Sequence, residues 1–503
     1  MGFTWIDATI LVIYLSCIAG MGVLLGRGQK NTKEFLLGGR DFHWFPVAIS
    51  VIATELSAVT YMGTPAIAFT KDLRYLLVIF CTPVAVLISV PIVVSVFYRM
   101  QVYTIYEYLE RRYNLTIRTL ASILFVCLKA GWLATAIFTP SLALSVATGA
   151  DDARYCVIGV GLFATFYATV GGFRGVIWCD FVQFFILVGG VILAVFFILY
   201  DFGGDATAIW SVAGEAGRTR LFDFDTSLTA EYTFWSVMLG GIVACLATAG
   251  TDQVVVQRYL GARSMAMVIK GAVAHSVIIV PLVIPMFLLG TGFYAYYQKH
   301  PEMMTSLMAL YPDNPTKSMD SVFPHFIVNG LPAGISGLVI ASILAAAMSA
   351  ITACLNSLAT VTVMDYYKRF FHRPDKSEVH YVWASRLATI VIGLVATTSA
   401  LYVEKLGTII EIFGKISSLI SGPLVTMFFI GVLTKRANSF GVFCGTLIGL
   451  AATASVANYT NVFWSWYAPV GLVVSWVAGY GLSLAWSAVM PPKSTEAGEV
   501  REP

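Results

Sequence analysis

Two apolar stretches of this chain carry groups that an uninterrupted membrane helix would not place near its middle. The first reads Ala53-Thr54-Glu55-Leu56-Ser57-Ala58-Val59-Thr60 and runs on to Gly63-Thr64-Pro65; the second reads Leu239-Gly240-Gly241, then Thr248-Ala249-Gly250-Thr251-Asp252-Gln253. Each combines Gly or Pro with hydroxyls and one carboxylate. Unwound backbone at membrane depth is tolerated only where it lines a cavity. Paired interruptions at matching places in two halves of a chain point to a solute-binding centre. Two helices kinked for packing alone are the plainer account of the same residues. A third stretch, Ala341 to Thr352, is rich in Ala and Ser, which lets another backbone come close. Here Ser342, Ser349, Thr352 and Asn356 fall near one helical face. Such oxygens, set opposite unwound carbonyls, are suitable ligands for a small hard cation such as Na⁺. A close-packed helix with satisfied hydroxyls fits that spacing too.

The elements that must position these groups follow from composition. Of 503 residues, 58% are hydrophobic and 12% charged, and mean hydropathy is +0.79. That charged share is about half the usual one for a soluble domain. Such a chain lives mostly in lipid, which excludes a soluble enzyme or a disordered scaffold, and a net charge of +3 is too small and scattered for a nucleic-acid partner. The eight cysteines sit singly, without metal-finger spacing, and read as small buried hydrophobes. The first apolar stretch lacks a basic leader and a small-residue cleavage site, so it reads as a span.

A helix needs about 20 apolar residues to cross a bilayer core. On that measure the sequence predicts an all-α integral membrane protein with spans at 6–26, 43–70, 73–98, 119–148, 154–172, 176–200, 232–256, 268–294, 333–365, 380–402, 406–433, 440–459 and 463–488. The two interrupted spans, second and seventh, lie five apart. Spans 2–6 and 7–11 are therefore expected to be two five-helix repeats, at about 43–200 and 232–433, in opposite membrane orientations. The expected organisation is one transporter domain over 1–490, with one extra N-terminal and two extra C-terminal helices, and a short cytoplasmic tail at 491–503. With the N-terminus outside, the inward loops and tail hold twenty Lys and Arg, Arg118 and Arg258 among them, against eight outside. Positive residues collect on the cytoplasmic side. The expectation is a multi-pass protein of the inner or plasma membrane, N-terminus out and C-terminus in, working as a monomer.

At this point a family can be recognised. Gly171-Gly172-Phe173-Arg174-Gly175-Val176-Ile177-Trp178-Cys179-Asp180-Phe181-Val182-Gln183 resembles the GG-x-x-x-V-x-W-T-D-x-x-Q stretch of the sodium/solute symporters, which include sodium–glucose, sodium–proline and sodium–sialic acid cotransporters. Asp252-Gln253-Val254-Val255-Val256-Gln257-Arg258 is similar to their D-Q-x-x-x-Q-R, and Gly431 to Gly441 matches the spacing of their late Gly/Arg/Gly signature. Asn356 to Asp365 is similar to the end of their ion-binding helix. The resemblance covers roughly 5–490 and implies the LeuT-type fold, with transport driven by inward Na⁺ flow. Each charge that crosses contributes about 2.3 kcal/mol per 100 mV. Carried over by position, it implies a sodium site made of the Ala53, Leu56 and Ala346 carbonyls with two adjacent hydroxyl residues, here Ser349 and Ala350. The second hydroxyl is missing. A further cation site in some members would fall on Asp180, Thr352 and Ala353, again incomplete, so one coupled ion is expected. No other cofactor is implied.

For the solute, Glu55 falls where sodium–glucose relatives contact or gate sugar. Ser57, Thr60, Tyr75, Asp252 and Gln253 are the other candidates for the cavity wall or gate, though the last two could instead tie a loop at its inner mouth. Sialic-acid-transporting relatives place a carboxylate-gripping arginine where this chain has Trp132, and a glutamine where it has Ile79. Bidentate capture of a carboxylate is therefore expected to be absent. A sugar-like solute is favoured, because carboxylates accept sugar hydroxyls well. Uptake of a monocarboxylate, amino acid or sialic acid, and coupling to H⁺ or to no ion, stay open. Of the basic residues inside spans, Lys129 has no partner evident in sequence, Arg386 is unassigned, and Lys415 reads as a helix pair with Glu411. The chain lacks a nucleotide loop and an HExxH, and its tail is too short for a signalling domain, so neither an enzyme nor a sensor is expected.

Overall fold

The computed structural model describes residues 3–27, 29, 31–150, 152–371, 377–403 and 409–489, with backbone only for 409–413. The tail at 491–503 lies outside the described residues. Among those described, regular structure is helical throughout, apart from one parallel bridge between Phe42 and Ala262. The principal helices are α1 (Trp5–Leu25), α2 (Trp44–Glu55), α3 (Ala58–Thr70), α4 (Arg74–Arg99), α5 (Leu115–Thr148), α6 (Ala153–Asp201) and α7 (Phe234–Leu246). They continue with α8 (Gln253–Leu260), α9 (Met265–Lys299), α10 (Ile335–Val361), α11 (Glu378–Ala400), α12 (Ile409–Leu433), α13 (Ser439–Tyr459) and α14 (Tyr467–Val489).

Eleven stretches are long and apolar enough to span a membrane, and the bent pair α2–α3 makes a twelfth. Helix α6, however, has 49 residues. At 1.5 Å per residue that is about 73 Å, more than twice the roughly 30 Å of a bilayer core. It breaks at Gly172, whose φ of 56° and ψ of −171° suit glycine alone. Gln29 Nε2 donates to the Gly171 carbonyl at 3.0 Å, and a Cβ on Gly172 would lie 2.2 Å from Gln29 Oε1. The Gly171-Gly172 pair thus ends one span and starts the next, and the described residues hold thirteen. The long polar connections are not bare loops: they contain helices Ala206–Glu215, Pro301–Ala309, Pro315–Asp320 and Val322–Gly330.

Helix α10 forms the centre, with nearly every residue of its apolar stretch buried, whereas α11, α13 and α14 bury only a third of theirs or less. It packs along α6 and also touches α1, α3 and α5. The small residues that predicted close approach do that work. Its start is anchored by Asp7, whose Oδ1 accepts from the Gly334 and Gly337 amides at 2.8 and 2.7 Å. The other Asp7 oxygen accepts from the Thr4 amide at 2.8 Å, which caps α1.

Candidate functional site

Both interruptions form where the sequence predicts them. Helix α2 ends at Glu55, Leu56 leaves helical geometry (φ −78°, ψ 55°), Ser57 is extended, and α3 departs at 53°. A helix end leaves the carbonyls of its last turn without amides four residues on. Thr60 Oγ1 takes up the Glu55 carbonyl at 3.1 Å. The Ala53 and Leu56 carbonyls belong to this unwound turn. In the other half, α7 loosens into a wider turn over Ala247–Thr251, and Asp252, extended, caps α8 through Oδ1, which accepts from the Val254 amide at 2.8 Å.

Ala346, Ser349, Ala350, Thr352 and Asn356 of α10 are all buried. The Ser349 hydroxyl is turned toward the Asp180 carboxylate of α6 and interacts with it; apart from that contact neither Ser349 Oγ nor Asp180 Oδ1 has a partner among the described residues. Buried polar atoms are paired in the great majority of cases, and a hydroxyl and a carboxylate oxygen with no partner beyond each other can both turn to a cation. The other Asp180 oxygen is occupied. Ser50 Oγ donates to Oδ2 at 2.5 Å and Arg258 Nη2 at 3.0 Å, while Arg258 Nε donates to Ser50 Oγ at 2.9 Å. Arg258 is not a loop residue, as the charge count supposed. It is buried in α8, and Arg118 is likewise buried, in ion pairs with Glu110 and Asp365. Without those two, the loops expected to face inward still hold the larger share of Lys and Arg. Thr352 is already engaged: its hydroxyl donates to the Met348 carbonyl at 2.8 Å and meets Tyr167 OH at 3.2 Å. Ser342 bonds Tyr61 OH at 2.8 Å and joins α10 to α3.

Beside the breaks lies a cavity of about 250 Å³, lined by Glu55, Ser57, Thr60, Tyr75 and Asp252 among the expected residues, with Ile79 and Trp132 also in its wall. Gln253 is not part of that wall. Its amide is spent on the 103–105 loop, donating to the Tyr103 carbonyl and accepting from the Ile105 amide, each at 3.0 Å. Glu55 has a partner that no spacing indicated: His275 Nε2, on α9, at 3.0 Å, with His275 Nδ1 3.2 Å from Tyr259 OH. A carboxylate only accepts, so Nε2–H donates to Glu55, and Nδ1 shares its hydrogen bond with Tyr259 OH. Lys129, without a partner in sequence, forms an ion pair with Asp252, and both line the cavity. Arg386 lies over the rings of Trp383 and Phe35, at 5.2 and 5.7 Å. Lys415 is exposed, and the Glu411 side chain lies outside the described residues.

The sequence profile of the sodium:solute symporter family matches residues 35–449. The chain is 30% identical over 450 residues to the mouse (Mus musculus) sodium-coupled monocarboxylate transporter 1, covering 88% of this chain and 72% of that one. It is 30% identical over 449 residues to the rabbit (Oryctolagus cuniculus) sodium-dependent multivitamin transporter, covering 88% and 68%. It is 27% identical over 486 residues to the sodium/sialic acid symporter NanT of Aliivibrio fischeri, covering 94% and 92%. The substrate-bound, outward-open structure of a Na⁺-coupled sialic acid symporter superposes with a TM-score of 0.88 at 26% identity, covering 96% of this chain and 98% of that one. Mhp1, a nucleobase-cation-symport-1 family transporter, shares the fold at a TM-score of 0.58 and 13% identity. The thirteen helical spans, the two matched interruptions and these likenesses lead to one conclusion: the chain belongs to the sodium:solute symporter family, as a multi-pass membrane protein of LeuT-type fold that moves a small solute together with Na⁺.

Proposed function

We propose that the chain imports a small organic anion of the monocarboxylate class with one Na⁺, by alternating access between repeats at about 43–200 and 232–433. The observation that carries the Na⁺ assignment is the buried pair Ser349 Oγ and Asp180 Oδ1, which have no partner beyond each other, beside the α2–α3 break. With the carbonyls of Ala53, Leu56 and Ala346 they make five oxygen donors, which makes up for the hydroxyl that Ala350 lacks. Thr352 then acts as a tether between α10 and α6. Two features support the solute class. The cavity wall is largely apolar, with Val59, Val78, Ile79, Trp132, Ile279 and Phe287 beside one ammonium, and its volume is small for a ligand pocket. The mouse relative's name specifies monocarboxylates.

A sugar-like solute is the second reading, supported by Ser57, Thr54, Thr60, Thr64 and Thr248 in the wall. Against it, Thr54, Thr60, Thr64 and Thr248 each give their hydroxyl proton to a carbonyl close by in the chain. Glu55 and Tyr75 then shape the wall, and Gln253 holds the cytoplasmic gate by tying the 103–105 loop. We place the N-terminus outside and the C-terminus in the cytoplasm, and take the monomer as the working unit.

The test is uptake of labelled propionate, glucose and sialic acid by proteoliposomes, with and without an inward Na⁺ gradient, and with sidedness read from tags at both ends. Propionate uptake that collapses without Na⁺, with the tags on opposite sides, is the expected result. Uptake indifferent to Na⁺ refutes the coupling, and glucose outcompeting propionate selects the second reading.

A further inference from the structure

Lys129 places an ammonium in a wall that is otherwise hydroxyl-bearing, acidic or apolar. Its Nζ lies between the Asp252 carboxylate, to which it is ion-paired, and the Trp132 ring, whose centroid is 5.3 Å away. Trp132 stands one turn further along the same face of α5, so the two side chains rise together toward the cavity. Lys129, Trp132 and Asp252 also line a smaller cavity of about 30 Å³.

The two partners are not held alike. Asp252 is fixed, because its second oxygen caps α8 through the Val254 amide at 2.8 Å. Lys129 sits at the end of a flexible four-carbon stem and has three donors, of which a contact with one carboxylate oxygen engages one. An ammonium therefore can turn from a fixed carboxylate to a mobile one, or bridge both, without any helix moving. As a point charge it does not demand the planar, two-pronged approach that a guanidinium does. That suits a short acid with nothing beyond its carboxylate to orient it. The apolar wall then takes the acid's hydrocarbon body.

Resting on the reading of the cavity given above, we propose that Lys129 is the specificity-determining residue for the substrate's carboxylate, and that Asp252 is its resident competitor. An entering monocarboxylate shares or takes Lys129 from Asp252. The inward solute is recognised by charge at this one atom and by apolar contact elsewhere. Removing the competitor tightens binding; removing both charges abolishes the preference for an acid over its uncharged isostere.

The experiment uses full-length protein in proteoliposomes under an inward Na⁺ gradient and two solutes of one shape, propionate and propionamide. Wild type is expected to take up propionate and to ignore propionamide. In Asp252→Asn the amide oxygen still caps α8, and the half-saturating propionate concentration is expected to fall about tenfold or more, as a hydrogen bond to a charged group is shared no longer. Lys129→Met alone strands the Asp252 carboxylate without its partner, a loss of stability in itself, so the neutral double variant Lys129→Met/Asp252→Asn carries the test. It is expected to treat propionate and propionamide alike while keeping its Na⁺-dependent thermal stabilisation. A double variant that still prefers the acid, or a wild type that does not distinguish acid from amide, overturns the proposal and leaves the sodium site untouched. Loss of the Na⁺ response in the wild type itself would instead refute the coupled reading on which the proposal rests.

Discussion

Replacing Ser349 with alanine separates a cation ligand from a packing residue by sign as well as by size. Ser349 Oγ is buried, and its one neighbouring polar group is the Asp180 carboxylate. In Na⁺-free solution, deleting it removes at most that one contact, and it also removes a poorly paired buried polar atom, whose burial costs about 1–3 kcal/mol. The variant is therefore expected to be as stable as wild type without Na⁺, or more so. With Na⁺ the order reverses. Loss of one oxygen ligand, taken as a contact on the scale of about 1–3 kcal/mol, weakens the site roughly ten- to a hundredfold. A ligand that binds only the folded state stabilises it by RT ln(1 + [L]/Kd), about 2.7 kcal/mol at a hundred times Kd. At that same Na⁺ concentration the variant would gain only about 1.4 kcal/mol if its site were tenfold weaker, and about 0.4 kcal/mol if a hundredfold weaker. The assay is thermal unfolding of purified protein across a Na⁺ titration, with choline holding ionic strength constant. Ala350→Ser, which adds a hydroxyl beside the site, should shift the response to lower Na⁺. A Ser349→Ala variant that is destabilised without Na⁺, or that responds to Na⁺ as wild type does, refutes the reasoning.

Three further expectations follow from the same geometry. Arg258→Met strands the Asp180 carboxylate, both side chains being at most 1% exposed, and should cost about 3–5 kcal/mol, while Arg258→Met/Asp180→Asn should recover much of the loss in thermal unfolding; a double variant no better than the single one would show that the pair is not coupled. Glu55→Gln removes the charge that His275 holds, and should weaken solute uptake while leaving Na⁺-dependent stabilisation intact. If only the Na⁺ response is lost, Glu55 belongs to the ion site. His325, in the helix Val322–Gly330 outside the spans, is pushed down to about 4 by burial and is held between Tyr297 OH and Ser306 Oγ at 2.7 and 2.8 Å. Its folded value lies below its unfolded one, so the unfolded chain binds the proton first. The stability this group contributes is present above about pH 6.5 and is lost as pH falls toward 4. A His325→Gln variant should show a flatter melting-temperature profile over that window, and an unchanged profile would refute the assignment.

The spans, their number and both interruptions were legible in sequence because bilayer thickness sets a length, and because a cluster of Gly or Pro with hydroxyls and a carboxylate at membrane depth suits unwound backbone that lines a cavity. The residue pattern also marked Ser349 as a hydroxyl on one face of a small-residue helix, and the family resemblance implied a missing neighbour at Ala350. Partners of buried charges were not legible. Glu55 finds His275 across 220 residues, and Arg258 finds Asp180 across 78. Periodicity reports which face of a helix a residue occupies, not which face of another helix meets it. Arg258 was misplaced for that reason. A polar turn and a short, mixed segment after Asp252 read as a loop leaving the membrane, whereas packing folds α8 back against α2 and α10 and buries the guanidinium. Lys129 shows the same division. Composition made it costly in the membrane and so worth explaining, but only the juxtaposition of α5 with the break before α8 gave it Asp252 for a partner and a place in the cavity wall.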